Sequence, residues 1–453
     1  MAYNKGKFIR KELLVMLSID KEQLRQKCLA ASQKELLKVI NHYDEQMRPV
    51  MLAKGYRYIQ STERTVAFVS AGEVTFTRRR YKKDNDWCVP VDEALDLPKN
   101  SRYSKEMMQV IAICASIMPY AKTAKFLSDI YQISLGTTTV NKVIKTYYQL
   151  LSDRKAYQFY KEDRVEKRHC PVIYVEGDGV MVKARENSDT SHKIDLAHFV
   201  IHEGAVGRGK RLKLIHKHEI LALNVKEARR QVLDYLYDTY EITQETILIT
   251  NSDGGHGYTP YVFKELAKAL KIKHHEHFYD GYHVTQMLKQ AFRFFSKDLL
   301  EQSFKAINSH DKQGLRAAFE QAESLNKEMV DEVFLSIKKK LLTHFQYTKP
   351  AHLRGLEKRG IGVMESQHRK ITYRAKRQGM YWTRQGIETI SQLILMADAG
   401  TLDDFFKGKW QEEFQQLKAL EKLSADDFKQ SYHEDHILPQ SGQNPYLRYP
   451  YYH

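Results

Sequence analysis

A chain of 453 residues is longer than the roughly 250–300 residues that one hydrophobic core supports, so two or three domains are expected. Apolar residues at 42% and charged residues at 28% exclude a disordered chain, and no stretch reaches the roughly 18 apolar residues of a membrane span. The surplus of 72 Lys and Arg over 56 Asp and Glu, a net charge of +16, points to a polyanionic partner, nucleic acid before an anionic membrane surface. Four scattered cysteines without a Cys-x-x-Cys pair imply neither a zinc ribbon nor a disulfide framework. No signal peptide is read around Leu13 to Ile19, and the expected location is the cytoplasm, in association with the nucleoid.

Residues 1–55 carry apolar positions at helical spacing from about Lys11 to Met51, which predicts one or two amphipathic helices. In residues 56–150 the stretch "RTVAFVSAGEVTFTRRRYKK" alternates apolar and polar side chains around Ala71-Gly72, the pattern of a β-hairpin. Its second strand brings Arg78, Arg79, Arg80, Lys82 and Lys83 together as candidate phosphate contacts. The stretch "PYAKTAKFLSDIYQISLGTTTVNKVIKTYY" predicts two helices around a turn near Leu135-Gly136, the outline of a helix-turn-helix or of an ordinary helical hairpin. In the DNA-binding reading Thr138, Asn141 and Lys142 lie on the recognition helix.

Residues 168–283 open with "IYVEGDGVMVK" and continue with two more strand patterns, "KIDLAHFVIH" and "HKHEILALN", separated by a basic loop with Arg208, Lys210 and Arg211. A helix from Val225 to Tyr240, the buried strand "TILIT" and a helix from Tyr261 to Leu270 follow. Three strands joined by turns, a helix and a buried strand form the order of an RNase H-like α/β core. Residues 284–350 are helical in pattern throughout, an all-helical insertion; residues 351–400 return to the core with a helix around Glu365, and residues 401–453 are a helical region and tail.

Two carboxylates interrupt the first core strand. Side chains two apart on a strand share a face, so Glu176 and Asp178 point the same way. Asp178-Gly179 is also a favourable two-residue hairpin turn, which alone would explain it. Asp253 in "NSDGGHGY" follows a buried strand and precedes a helix, where open α/β sheets place their ligands, although a turn or cap is equally common there. In an RNase H-like fold the first strand lies beside the fourth, so Asp178 and Asp253 approach each other. Carboxylates that close repel unless a cation lies between them, and hard Mg²⁺ or Mn²⁺ suits such oxygen donors. The third acid expected on a later helix is Glu365, in "GVMESQHRK", close to Arg369 and Arg374; an exposed Glu–Arg pair is the plainer alternative. The run "KIKHHEHFYD" lacks cysteine and the spacing of a helical zinc motif, so His274, His275, Glu276 and His277 are read as a polar strand end.

The order "VEGDG", "NSDGG", "GVMESQHR" and "RQGMYW" resembles the DDE transposases of bacterial insertion sequences, in the ISLre-type branch long catalogued as an uncharacterised protein family. The N-terminal "RTVAFVSAGEVTFTRRRYKK" with "VDEALDLPKNSRYS" carries the same resemblance. It implies Asp178, Asp253 and Glu365 as catalytic ligands of two Mg²⁺ or Mn²⁺ ions, and double-stranded DNA, both element ends and target, as substrate. "FYDGYHV" is similar to the Cys/Asp-x-x-His signature of Mutator-like transposases, which implies an accessory role for Asp280 and His283; Asp280 is also a helix cap in its own right. Met364 stands where the family pattern has a small residue before the glutamate. Pairing two DNA ends requires at least two protomers, so a homo-oligomer is expected. Other classes remain open, a non-catalytic DNA-binding regulator and a structure-specific nuclease. Should Glu365 not be the third ligand, Glu388 is the next candidate.

Overall fold

The computed structural model describes residues 20–160, 166–186, 190–208, 211–325 and 327–420. The expected N-terminal helical region is one long helix, α1 (Lys21–Ala53), capped by the Asp20 carboxylate, which accepts from the amides of Glu22 and Gln23. Its predicted start near Lys11 lies outside the described residues. The alternating stretch folds as a hairpin, β1 (Arg57–Phe68) and β2 (Gly72–Lys83), to which β3 (Asp86–Cys88) adds a third strand. Val66, Phe68, Val74 and Phe76 of the hairpin share an apolar core with Ile40 of α1 and Val91 of the short α2 (Pro90–Ala94).

Three helices follow, α3 (Lys105–Ile117), α4 (Tyr120–Tyr131) and α5 (Thr137–Tyr160). The α4–α5 pair takes the two-helix outline expected: Leu127, Ile133, Val140 and Ile144 turn inward, whereas Thr138, Asn141 and Lys142 stay exposed along α5.

The remaining strands are β4 (Arg168–His169), β5 (Val172–Ala184), β6 (His192–His202), β7 (Ala205–Arg208), β8 (Arg211–Leu214), β9 (His218–Ala222), β10 (Tyr240–Glu241), β11 (Ile247–Ser252) and β12 (His274–Tyr279). Five of them form one sheet in the order β12-β11-β5-β6-β9. Here β5, β6 and β9 are antiparallel neighbours, while β11 runs parallel to β5 and β12 parallel to β11. Parallel neighbours need crossovers, which α6 (Val225–Thr239) and α7 (Pro260–Ala269) supply. Both helices pack on one face of the sheet against Ile173, Val175, Phe199 and Ile201. On the other face Val180, Val182, Ile194 and Leu196 join a core with α3, α4 and α5, and with α12 (Met364–Ala375), α13 (Arg384–Ala399) and α14 (Leu402–Lys407). The two-helix unit is thus built onto the sheet through a shared core.

The insertion consists of α8 (Gly281–Ala291), α9 (Lys297–Asn308), α10 (Lys312–Leu325) and α11 (Glu332–Thr343), with its own core around Phe292, Phe319 and Phe334. A last helix covers 410–420, and the C-terminal tail lies outside the described residues. Among the described residues no helix is long and apolar enough to cross a membrane.

Candidate functional site

Strand β5 passes straight through Asp178-Gly179, with Asp178 opposite His198 of β6, so the dipeptide forms no hairpin turn. The glycines serve close packing instead. On the α6–α7 face a Cβ at Gly177 would meet the Phe199 ring at 2.5 Å, and one at Gly179 would meet the Asp195 carboxylate at 2.5 Å. Glu176 and Asp178 project from the opposite face and divide two tasks between them.

Glu176 is buried at 1% exposure and caps α12 from a distant part of the chain. Its Oε1 accepts from the Gly362 amide at 2.7 Å, and its Oε2 from the Val363 and Met364 amides at 2.8 and 3.0 Å. Those are the unpaired donors that every helix start presents, and a carboxylate also suits the positive end of the helix dipole. The Asn251 amide donates to Oε2 at 3.4 Å. Burial nevertheless pushes the Glu176 carboxyl up to about 7, against the effect of these donors. The sequence singled out this acid without revealing its partner, because the capped helix begins far along the chain.

Asp178 faces His368, the first residue of a buried polar chain. His368 Nε2 lies 3.1 Å from Asp178 Oδ2, and its Nδ1 lies 3.1 Å from His198 Nδ1. His198 Nε2 is 3.1 Å from Glu219 Oε1, and the other Glu219 oxygen accepts from Lys217 at 2.9 Å and Lys370 at 2.5 Å. Burial opposes the charge on Asp178, but the His368 ring and the Gly179 amide outweigh it and hold the carboxyl below its ordinary value. Burial likewise opposes the charge on Glu219, but His198 and the two lysines outweigh it and hold the carboxyl well below its ordinary value.

Asp253 follows β11, which pairs in parallel with β5 through Asn251 opposite Glu176. Its Oδ1 accepts from the Gly255 amide at 2.7 Å, and Lys340 of the helical insertion donates to its carbonyl at 3.0 Å. A third acid, Asp195, was not a sequence candidate. Burial raises its carboxyl, and the charges of Asp178 and Asp253 raise it further, which places the three carboxylates in one field. Asp280 caps α8 and pairs with His283 Nδ1 at 2.6 Å, so cap and histidine contact coexist. Asp280 lifts the His283 ring above its usual range, burial opposes this, and Asp178 and Asp253 add to the rise.

Glu365 is exposed in the first turn of α12, and among the described residues no hydrogen bond or ion pair joins it to Asp178 or Asp253. Its flank of the helix is informative. Gln367 and Lys370 turn towards β9, where they meet Lys217 and Glu219; at about 100° per residue Glu365 lies on the other flank, the side of β11. Glu388 is held by Lys155 at 2.8 Å on α13. Among the described residues no group of three His, Cys, Asp or Glu side chains forms a ready cation cage.

The basic candidates separate by burial. Arg78 is tied to Asp92 at 2.8 Å and Arg79 to Asp44 at 2.9 Å and to Glu45, so both are structural ion pairs of the hairpin and not the phosphate contacts expected of them. Arg374 is a correction too. It is 1% exposed, donates to the Ala115 carbonyl at 2.9 Å and lies 4.7 Å from the Trp382 ring centroid, joining α12 to α3. Alternation and charge count could not reveal this, since both ignore which acid lies across the hairpin. Arg80 and Lys82 stack on the exposed Trp87, and Lys83 is exposed. Arg369 is exposed as well. Arg208 and Arg211 mark the tip of the β7–β8 hairpin, and Lys210 lies outside the described residues.

The model of an uncharacterised protein family (UPF0236) matches residues 11–413. The "UPF0236 protein in vanSb 3'region" of Streptococcus gallolyticus is 29% identical over 412 residues, covering 89% of this chain and 88% of that one. A solved structure described as the Drosophila P element transposase strand transfer complex covers 68% of this chain and 82% of its own, at 9% identity and a TM-score of 0.24, a likeness too slight to bear on function. The chain belongs to the uncharacterised family UPF0236.

Proposed function

We propose that this member of the family is a DNA transposase with an RNase H-like core of the DDE type, which cuts DNA and joins the freed 3′-end to a target. One observation carries the reading: Asp178 stands in the middle of the first strand of a sheet ordered β12-β11-β5-β6-β9, and Asp253 follows the neighbouring parallel strand. Three antiparallel strands followed by two parallel ones match the RNase H-like order, and ligands bind beyond the carboxyl ends of such parallel strands.

The donors fit a hard divalent cation. Burial raises the Asp195 carboxyl, and the charges of Asp178 and Asp253 raise it further, a repulsion that a cation between the carboxylates would relieve. Mg²⁺ is commonly held by one or two carboxylates, water and substrate phosphate, so a set completed only by DNA is what such an ion requires. Asp178, Asp253 and, from the first turn of α12, Glu365 are the proposed holders of two Mg²⁺ or Mn²⁺ ions. Bound there, these ions would stabilise charge on the attacking and leaving oxygens of the phosphoryl transfer. Asp280 and His283 border the site as accessory groups, and Lys340 steadies the Asp253 loop.

The half-buried Arg80 and Lys82 and the exposed Lys83 of β2 would track the phosphate backbone, and Thr138, Asn141 and Lys142 would face base edges. Arg80→Ala with Lys82→Ala should reduce the slope of log affinity against log salt by about 2, since each phosphate contact contributes about 0.9. Arg374→Ala should instead lower thermal stability and leave that slope unaltered. Fluorescence anisotropy with labelled duplex across a salt series, beside thermal unfolding, checks both. Two ends brought together imply a homo-oligomer, at least a dimer.

For the third acid, Glu365→Gln should fold and bind DNA while losing roughly 100-fold or more of its strand-transfer rate, about 2.7 kcal/mol at the transition state. Transfer at the parental rate in a gel assay would assign the third position elsewhere.

A further inference from the structure

The unexplained group at this site is a nitrogen. His368 is 4% exposed, and among the described residues its Nε2 makes no hydrogen bond although it stands 3.1 Å from Asp178 Oδ2. The other ring nitrogen is committed. Only one proton fits between His368 Nδ1 and His198 Nδ1 at 3.1 Å, and the question is which ring carries it. His198 Nε2 faces Glu219, an acceptor kept ionised by Lys217 and Lys370, so that nitrogen bears a hydrogen already. A second hydrogen would make His198 a cation with no exposed side-chain surface, which burial opposes. The shared proton therefore belongs to His368 Nδ1. The buried chain fixes a hydrogen on His368 Nδ1 and so orients the ring, which leaves Nε2 beside the carboxylate oxygen of Asp178, where it holds either a proton or a cation.

With no cation present a proton on Nε2 makes the two groups an ion pair, and a divalent ion taking the place of that proton would be held by both atoms. Two donors bound at about 2.1 Å to one octahedral ion and at right angles stand about 3 Å apart, which is the spacing of this pair. A histidine whose remote nitrogen is hydrogen-bonded in this way is also the usual form of a metal-bound imidazole. We propose that His368 Nε2 is a ligand of the divalent cation at Asp178, and that the His198–Glu219–Lys370 chain sets its tautomer. The proposal rests on the cation-dependent reading above and deepens it. An imidazole donor favours Mn²⁺ over Mg²⁺, because nitrogen suits the later, softer ion better than magnesium, so the site should prefer manganese.

The test uses the full chain and Mn²⁺ alone as probe. Electron spin-echo modulation of bound Mn²⁺ should show a directly coordinated ¹⁴N, replaced by ¹⁵N in protein made with ¹⁵N-histidine. His368→Gln should lose that coupling and weaken Mn²⁺ binding about tenfold or more, with Mg²⁺ binding altered less. His283→Ala should retain the nitrogen coupling, which separates the two histidines near Asp178. The wild-type spectrum stands even if the His368 variant misfolds. Mn²⁺ bound in an Asp178-dependent manner without nitrogen coupling would overturn the proposal alone and leave His368 as an ion-pair partner of Asp178. Failure of Mn²⁺ to bind in any Asp178-dependent way would overturn the cation-dependent function with it.

Discussion

Asp178→Asn should bind duplex DNA as the parent does and lose cleavage by about 10³-fold or more, roughly 4 kcal/mol of transition-state stabilisation. The amide keeps the shape of the carboxylate, so β5, its pairing with His198 and the packing over Gly177 and Gly179 are unaffected. What disappears is the negative charge in the middle of the site. Its removal should also lower the Asp195 carboxyl part of the way, because burial, the larger cause, stays while the Asp178 charge that adds to it goes. Carboxyl titration followed by NMR reads that change independently of activity, while purified variant and parent compared for divalent-dependent nicking read the chemistry. Unimpaired nicking by the variant would remove Asp178 from the chemistry.

Glu176→Gln should damage the same reaction by another route. Its carboxylate accepts from the amides of Gly362, Val363 and Met364, all within 3.0 Å, and these are donors without another partner at the start of α12. The glutamine presents one acceptor oxygen and turns an NH₂ group towards donors, leaving at least one buried N–H unpaired. Each such group costs about 1–3 kcal/mol, so a loss of about 2–4 kcal/mol is expected. The loss should concentrate at residues 357–370, where hydrogen exchange should accelerate before the strands of the sheet respond. Since α12 carries His368, which meets Asp178, and the proposed ligand Glu365, cleavage should fall along with the protection of those amides. Asp178→Asn, by contrast, should lose cleavage with α12 fully protected. Glu176→Gln with unchanged exchange and a lower thermal midpoint elsewhere would contradict the capping role.

Periodicity and turn chemistry made much of the scaffold legible before any coordinates. The alternation around Ala71-Gly72 became the β1–β2 hairpin, and the wholly apolar "TILIT" became β11, buried between two parallel neighbours. The acid in a strand was equally legible, because a charge inside "IYVEGDGVMVK" defies the pattern around it. Residues that matter through a partner were not. Arg78, Arg79 and Arg374 read as free positive charge, yet Asp92, Asp44 and the Trp382 ring meet them across distances that composition does not encode. His368 was lost in a basic run, since nothing near it in the chain names His198 or Asp178. Asp195 gave a faint signal, an acid within the apolar strand "KIDLAHFVIH", and became meaningful only once Gly179 was seen beneath it. Glu176 was noticed for its charge, while its task depended on a helix that begins far downstream.

The most direct measurement incubates the purified chain with duplexes from the DNA flanking its gene, with and without Mn²⁺ or Mg²⁺, and resolves the products on a sequencing gel. Cation-dependent nicks at defined positions, followed by 3′-ends joined to a second duplex, with both products absent for Asp178→Asn, are the expected result. DNA that is bound but never broken under any cation, or broken equally well by Asp178→Asn, would contradict a catalytic centre at the junction of β5 and β11.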